Sequence, residues 1–247
     1  MNTSLAQFPS RIAGSLPPWQ QILDTIKPTI FHHGIQGFWF QGVALCAYDN
    51  YHSNCRSNLF TPHTLRRAQG VLCSSPKIRQ LHQHYVSRVA TSDPNFAAAL
   101  QLQQPYCYGL DPDTTKAGRL FHSHGIHQVL SWPLLQTDCH SWAGRFTLLS
   151  DNSIDTEQLG STLEIAQMKL FQLGRERFNP YRQGRVFTST ALGVLALTAR
   201  GLHNHQIAEQ LHLTVRGVEY HLEAMRKKLA ASNRANLIHI AHQLEII

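Results

Sequence analysis

From about residue 18 to residue 172 the apolar positions change period several times. Trp19–Ile26 (WQQILDTI) has its apolar side chains at helical spacing. Gln36–Tyr48 is dense in aromatic and aliphatic residues and predicts a strand; the polar, turn-prone stretch Asp49–Asn58 after it predicts a hairpin or loop. Pro76–Val89 carries a helix start, with Pro76 in the first turn. Ile126–Leu134 and Trp142–Leu149 predict two strands separated by a polar loop. In Asp155–Gly174, Leu159, Leu163, Ile165, Met168, Leu170, Phe171 and Leu173 recur at near-helical spacing and predict a long amphipathic helix. Helices and strands mixed in this way predict one α+β domain.

The pattern then breaks. Arg175–Arg185 (RERFNPYRQGR) is basic, contains Pro and Gly, and lacks apolar periodicity, as a linker does. After it comes a string of short helices. Ser189–Leu197 buries Leu192, Val194 and Leu195, and Gly201 ends that run. His205–Leu211 turns Ile207, Ala208 and Leu211 inward, with Asn204 as its expected cap. His212 and Leu213 make a tight turn, and Thr214 caps a third helix from Val215 to about Lys228 whose buried stripe is Val218, Leu222, Met225 and Leu229. A fourth helix, about Arg234 to Leu244, contributes Leu237, Ile240 and Ala241. The chain is thus expected to divide into residues 1–174, a linker 175–185, and an all-α four-helix domain 186–247.

Two short helices joined by a tight turn can set the second in the DNA major groove while the first crosses the phosphates. Arg216 and Tyr220, off the buried stripe near the start of the third helix, are the candidates for base edges. His205, Arg226, Lys227 and Arg234 are the candidates for phosphate, and Asn204 and Thr214, at the helix starts, complete the DNA-binding candidates. Formal charge agrees: 22 Lys and Arg against 15 Asp and Glu leave +7, which favours a polyanionic partner.

Composition narrows the rest. With 43% hydrophobic and 15% charged residues, the chain can bury a core and is neither disordered nor a coiled coil. The five cysteines (Cys46, Cys55, Cys73, Cys107, Cys139) form no CxxC pair and suit a reducing compartment. The N-terminus lacks the apolar run of a signal peptide, and no stretch approaches the ~20 apolar residues that cross a bilayer. A cytoplasmic location without membrane contact is therefore expected. No GxSxG elbow, P-loop or HExxH is present, so an enzyme is not expected, nor is a cofactor. His122, His124 and His127 lie close in sequence with Cys139 and His140 nearby, but HxHxxH fits neither one strand face nor one helix face, and no metal site is expected.

The C-terminal residues resemble the LuxR-type helix-turn-helix without a gap. The resemblance is carried by Thr188, Leu195, Gly201, Asn204, Ile207, Ala208, Leu211, Thr214, Val218, His221, Leu222, Lys228, Leu229, Asn233, Arg234 and Ala241. It implies a DNA-binding transcription regulator. The chain departs from the family at Thr190-Ala191, where Arg-Glu is usual, and at Gly217-Val218-Glu219, where Thr-Val-Lys is usual. No acidic pair or suitably placed phosphorylatable Asp marks a phosphoreceiver: residues 1–45 hold one acid, Asp24.

The N-terminal segment instead resembles the autoinducer-binding domain of acyl-homoserine-lactone regulators. The matching features are Tyr85 ahead of Asp93-Pro94, then Gly125-Ile126, Ser131-Trp132-Pro133-Leu134 and Ala143-Gly144. The resemblance implies an α/β/α sandwich sensor domain with an antiparallel sheet. It also implies a pocket in which Tyr85 and Asp93 hydrogen-bond the amide of a small signal, an acyl-homoserine lactone or a different ligand, while aromatic residues, here Tyr108 and Trp132, wall it. It further implies a homodimer on double-stranded DNA and a role in quorum sensing. Leu81 stands where the family has a Trp, and Val129 where it has a Gly. The alternative expectation is an orphan regulator that works without ligand, or an antagonist that pairs with another LuxR-type protein; Gly217 and Glu219 are the features that would favour the latter.

Overall fold

The structure, a computed structural model, describes residues 18–44, 70–101, 104–134, 142–182 and 186–247. The expected loop Asp49–Asn58, the end of the first strand beyond Ala44, and Cys46, Cys55, Cys139 and His140 lie outside the described residues.

The N-terminal domain runs α1 (Pro18–His32), β1 (Gly37–Ala44), β2 (Leu72–Cys73), α2 (Pro76–Arg88), α3 (Pro94–Gln101), β3 (Tyr106–Gly109), α4 (Lys116–His122), β4 (Gln128–Leu134), β5 (Trp142–Ser150) and α5 (Thr156–Phe178), with a short 3₁₀ turn at Ala90–Ser92. The five strands form one antiparallel sheet in the order β2-β1-β5-β4-β3. Side chains alternate across a strand, so β1 sends Phe38 and Phe40 to one face and Trp39 and Gln41 to the other. On the first face they meet Phe146, Leu148, α1 and α5; on the second, Trp39 joins Leu81, Tyr85 and Val86 of α2 and Phe121 of α4. Helices cover both faces, the expected α/β/α sandwich. Every residue of the central strand β5 is buried. Gly144 is required there: a Cβ would sit 2.8 Å from the ring of Phe40.

The C-terminal domain is four helices: α6 (Ser189–Ala199), α7 (Asn204–Gln210), α8 (Val215–Lys228) and α9 (Arg234–Gln243). Local signals account for their ends. Thr188, Thr214 and Asn233 each accept a backbone N–H at the N-cap, and Gly201 closes α6 at φ 87°. Val194, Leu195, Ile207, Val218, Met225, Leu237 and Ala241 form the core. The cap of α7 differs from expectation. His203 holds the N-cap position, its N–H bonded to Gln206 Oε1 at 2.9 Å, and Asn204 is the first helical residue.

The stretch expected as a linker is packed as far as Arg182. Helix α5 continues through a kink at Gly174 to Phe178. Phe178 lies 5.0 Å from the Phe40 ring, and Tyr181 is also buried. Asn179 Nδ2 donates to the carbonyls of Leu244 and Glu245, and Arg182 Nε donates to that of Ile246. The end of the C-terminal domain is thereby tied to the end of α5. These contacts rest on buried aromatics within a segment whose basic, Pro-containing composition hides them.

Candidate ligand pocket and nucleic-acid interface

The second face of the sheet, under α2, α3 and α4, holds a small cavity of about 20 Å³. Strand register builds its floor. Gln41 stands opposite Arg145, and Trp39, Thr147 and Ser131 form a row across β1, β5 and β4. Helix α2 closes it with His82, Tyr85 and Val86 at helical spacing, and Phe96, Tyr108 and Phe121 complete the wall.

Tyr85 and Asp93, both buried, meet each other: the Tyr85 hydroxyl donates to Asp93 Oδ2 at 2.6 Å. The other carboxylate oxygen accepts the N–H of Asn95 at 3.0 Å, so Asp93 also closes the turn at Pro94. Burial pushes the Tyr85 and Tyr108 phenols well up from their usual range, and the nearby Asp93 adds to both shifts. Tyr108 lines the same cavity, on the β3 edge. Trp132 does not. Leu130, Trp132 and Leu134 alternate onto the opposite face, where the Trp132 ring reaches Gly160 of α5, within 3.2 Å of where a Cβ there would stand. Trp132 is therefore part of the α5 contact rather than of the pocket wall.

The pocket also holds polar residues outside the sequence-based set, among them Arg145, His82 and Gln41. Arg145, 2% exposed, donates from Nη1 to Ser131 Oγ at 2.6 Å, and burial pulls its guanidinium down to about 10. His82 Nε2 lies 3.2 Å from Gln41 Oε1. An amide oxygen only accepts, so the ring donates from Nε2. Burial lowers His82 to about 4, with Arg79 adding to the effect, so the ring is neutral near pH 7. The readable signal for Gln41 and Arg145 was a polar residue inside an otherwise apolar strand, which period-2 alternation assigns to the α2 face.

In the C-terminal domain, Arg216, Glu219 and Tyr220 project from the first turns of α8, on the side away from buried Val218 and Met225; Tyr220 is 71% exposed. Thr214 Oγ1 spends its acceptor on Gly217 N at 3.0 Å. His205 is exposed and stacks on His203 at 5.8 Å. Lys227 is exposed, 3.6 Å from Glu223. Two expected phosphate contacts are held inside the domain. Arg226 makes a two-pronged bond to Glu223 at 2.7 and 2.8 Å and a third bond to Ala231 O. Arg234 bridges Asn204 Oδ1 and Leu202 O. The Arg226–Glu223 pair is an i,i+3 contact within α8, whereas the Arg234 contact reaches across to the start of α7, which spacing along one helix does not reveal.

His122 bonds the Leu110 carbonyl through Nε2 at 2.8 Å and packs on His127. Among the described residues no group of three or more metal-ligating side chains converges, and no helix is long and apolar enough to cross a membrane.

Residues 185–241 match the luxR family of bacterial regulatory proteins. That span runs from the start of the C-terminal domain into α9, and the domain is accordingly a LuxR-type helix-turn-helix. Comparison with curated protein sequences finds no match. Among solved structures the chain is similar to Escherichia coli SdiA, with 15% identity, 93% of this chain and 92% of that chain covered, and a TM-score of 0.46. It is also similar to SdiA in complex with octanoyl-rac-glycerol (13% identity, 92% and 88% covered, TM-score 0.39). A third similarity is to an N-acylhomoserine lactone dependent LuxR family transcription factor of Burkholderia cenocepacia (13% identity, 66% and 96% covered, TM-score 0.34).

Proposed function

We propose that this LuxR-type regulator binds double-stranded DNA as a homodimer, controls transcription in the cytoplasm, and responds to a small signal molecule held between the sheet and α2. Residues 1–174 are the sensor in this reading and 186–247 the DNA reader. Helix α8 enters the major groove, with Arg216 and Tyr220 at base edges and Lys227 and His205 at phosphates. The observation that carries it is the exposure of Arg216 and Tyr220 together at the start of the second helix of a LuxR-type helix-turn-helix. Tyr85 and Tyr108 stand on the polar side of the signal pocket, and Asp93 holds the Tyr85 hydroxyl from behind. Pairing through α5 is supported by Ile165 and Met168, three residues apart and 49% and 58% exposed. The test is selection of genomic double-stranded fragments by the full-length protein, followed by gel shift. Arg216→Ala and Tyr220→Ala should lose the selected sequence while both proteins stay dimeric.

The antagonist reading has one observation of its own. Glu219 is exposed on α8, and Glu223 engages Arg226 and Lys227, which reduces the positive charge offered to phosphate. Under that reading the full-length protein selects no DNA yet removes a second LuxR-type regulator from its operator in the same gel.

A further inference from the structure

Resting on the DNA-binding part of the function proposed above, we propose that Glu219 reads a cytosine in the major groove through the exocyclic amino group of that base, and so sets the operator sequence together with Arg216. Arg216, Glu219 and Tyr220 are exposed in the first turns of α8. Glu223, one turn further on, is held by Arg226 and Lys227. Among the described residues no ion pair or side-chain hydrogen bond engages Glu219. Two cations border the same groove beside α8 and neither serves it: Arg234 bridges Asn204 Oδ1 and Leu202 O, and Arg226 is taken up by Glu223 and Ala231 O. Arg216 precedes Glu219 by three residues, a spacing at which opposite charges pair on a helix, as Glu223 and Arg226 do. Among the described residues Arg216 and Glu219 form no such pair, so both side chains stay available to a partner.

The chemistry of duplex DNA leaves a carboxylate few partners. It only accepts hydrogen bonds, and the phosphates offer it acceptors and negative charge. The donors on the major-groove surface are two amino groups, N4 of cytosine and N6 of adenine. Adenine sets its N7 acceptor beside N6, against the second carboxylate oxygen, whereas cytosine carries no acceptor on that edge. Guanine N7 and O6 and thymine O4 are acceptors and repel the group. Cytosine is therefore the base that an unpaired carboxylate on this helix selects. Its bond to N4 is charge-assisted, and discrimination comes from repulsion by the other bases as much as from that attraction.

Placement on the helix agrees. Residues three apart lie about 60° apart around the axis and about 4.5 Å along it, comparable with the roughly 3.4 Å between neighbouring base pairs. The Arg216 guanidinium only donates and suits guanine O6 and N7. One donor fork and one acceptor so spaced read a guanine and a cytosine in the same or neighbouring base pairs. Away from a cytosine, Glu219 faces phosphate charge without a donor, so it lowers affinity for DNA at large while it sharpens the choice of sequence.

The experiment selects double-stranded fragments from a random-sequence library with the full-length protein, with Glu219→Gln and with Glu219→Ala, and measures the selected sequences by gel shift over a series of salt concentrations. The natural protein should select a cytosine, and replacing that base pair should weaken binding about tenfold. Glu219→Gln should move the preference there to adenine, whose N6 and N7 match the Gln amide, and Glu219→Ala should accept any base there. Both variants should keep the natural circular dichroism. If they fail to fold, N4-methylcytosine at the selected position decides on the unmodified protein: it retains base pairing, loses the major-groove N–H, and should weaken binding about as much as a base change. Unchanged base preference in both variants, or binding indifferent to N4-methylcytosine, overturns the proposal and leaves the DNA-binding reading standing. A uniform rise in affinity on all sequences with a steeper salt dependence also overturns it, since Glu219 then faces phosphate alone. Selection of no DNA by the natural protein overturns it together with the DNA-binding reading.

Discussion

Arg175 Nη2 donates to Glu245 Oε1 at 2.6 Å, joining the kinked end of α5 to the second residue past α9. The other oxygen of Glu245 accepts from Trp142 Nε1 at 3.2 Å, and the Arg175 guanidinium lies 5.6 Å from the centre of a Trp142 ring. Trp142 opens the central strand β5, so one carboxylate touches both the sheet and its covering helix. Glu245→Ala removes both bonds at once. Because the pair is about one-third exposed, the expected loss is modest, about 1 kcal/mol. The more sensitive readout is local: trypsin should cut after Arg182 faster in the variant, since the Arg182 bond to Ile246 O lies beside the lost contact. Unchanged cleavage would show that the junction holds without Glu245.

Glu245 also has φ 54°, a left-handed conformation, as do His212 and Ala230. Each follows a helix end at the position where glycine is usual, and each precedes a backbone bond reaching back into the helix, such as Ala231 N to Arg226 O at 2.9 Å. Ala230 is the cleanest of the three because its methyl is exposed and forms no polar contact. Ala230→Gly should raise stability by about 0.5–1 kcal/mol, read from urea unfolding of the helical signal. A decrease would mean that the greater freedom of glycine in the unfolded chain outweighs the relief.

Acid should weaken the N-terminal domain through His82. Its folded value is lowered to about 4 by burial, against 6.5 in the open chain. Between those values the unfolded chain takes up a proton that the folded protein refuses. The stability contributed by His82 is thus complete above about pH 6.5 and is lost as pH falls toward about 4. Urea midpoints from pH 7 to pH 4.5 should fall more steeply for the natural protein than for His82→Gln, which retains a donor for Gln41 and does not titrate. Parallel slopes would remove His82 as the cause.

The buried pair Tyr85–Asp93 yields to a double-mutant cycle. Tyr85→Phe removes the hydroxyl donor from Asp93 Oδ2 and leaves that oxygen short of a partner, at a cost of about 1–3 kcal/mol. Asp93→Asn keeps an oxygen that can accept from Tyr85 or Asn95, and should cost less. The two changes together should cost less than their sum, because the second removes the charge that the first strands. Additive losses would mean that Asp93 acts through the Pro94 turn alone.

How much of this was legible differs between the two domains. The C-terminal helices could be bounded within a residue or two because each carries its own signals: Thr188, Thr214 and Asn233 at starts, Gly201 at an end. In the N-terminal domain, α3 and α4 are eight and seven residues long, and β3 is a four-residue edge strand; segments that short carry too few periods to register. Trp132 was assigned to the pocket by resemblance, whereas alternation with Leu130 and Leu134 places it under α5. Arg145 does not stand out in the sequence because one polar residue does not disturb the average of an apolar strand, and only the cross-strand register sets it against Gln41.

Gly42 offers a test of how the two domains are held. A Cβ on Gly42 would stand 1.8 Å from the Phe178 carbonyl oxygen and 2.8 Å from its carbon, so no side-chain rotation relieves the clash. Phe178 is the last helical residue of α5 and is fully buried against Phe40. Immediately after it, Asn179 grips the carbonyls of Leu244 and Glu245. Gly42→Ala should therefore lift the end of α5 off the sheet, costing about 1–3 kcal/mol, and should loosen the C-terminal domain with it. Gly109→Ala on the edge strand is the matched control, since nothing lies within 4 Å of its Cβ position. In Gly42→Ala the emission of Trp142 should change and cleavage at Arg182 should accelerate, while Gly109→Ala should leave both unchanged. A Gly42→Ala protein with natural stability but a freed C-terminal domain would show that the sheet contact serves the junction alone; loss of stability with the junction intact would show that it serves the core beneath α5.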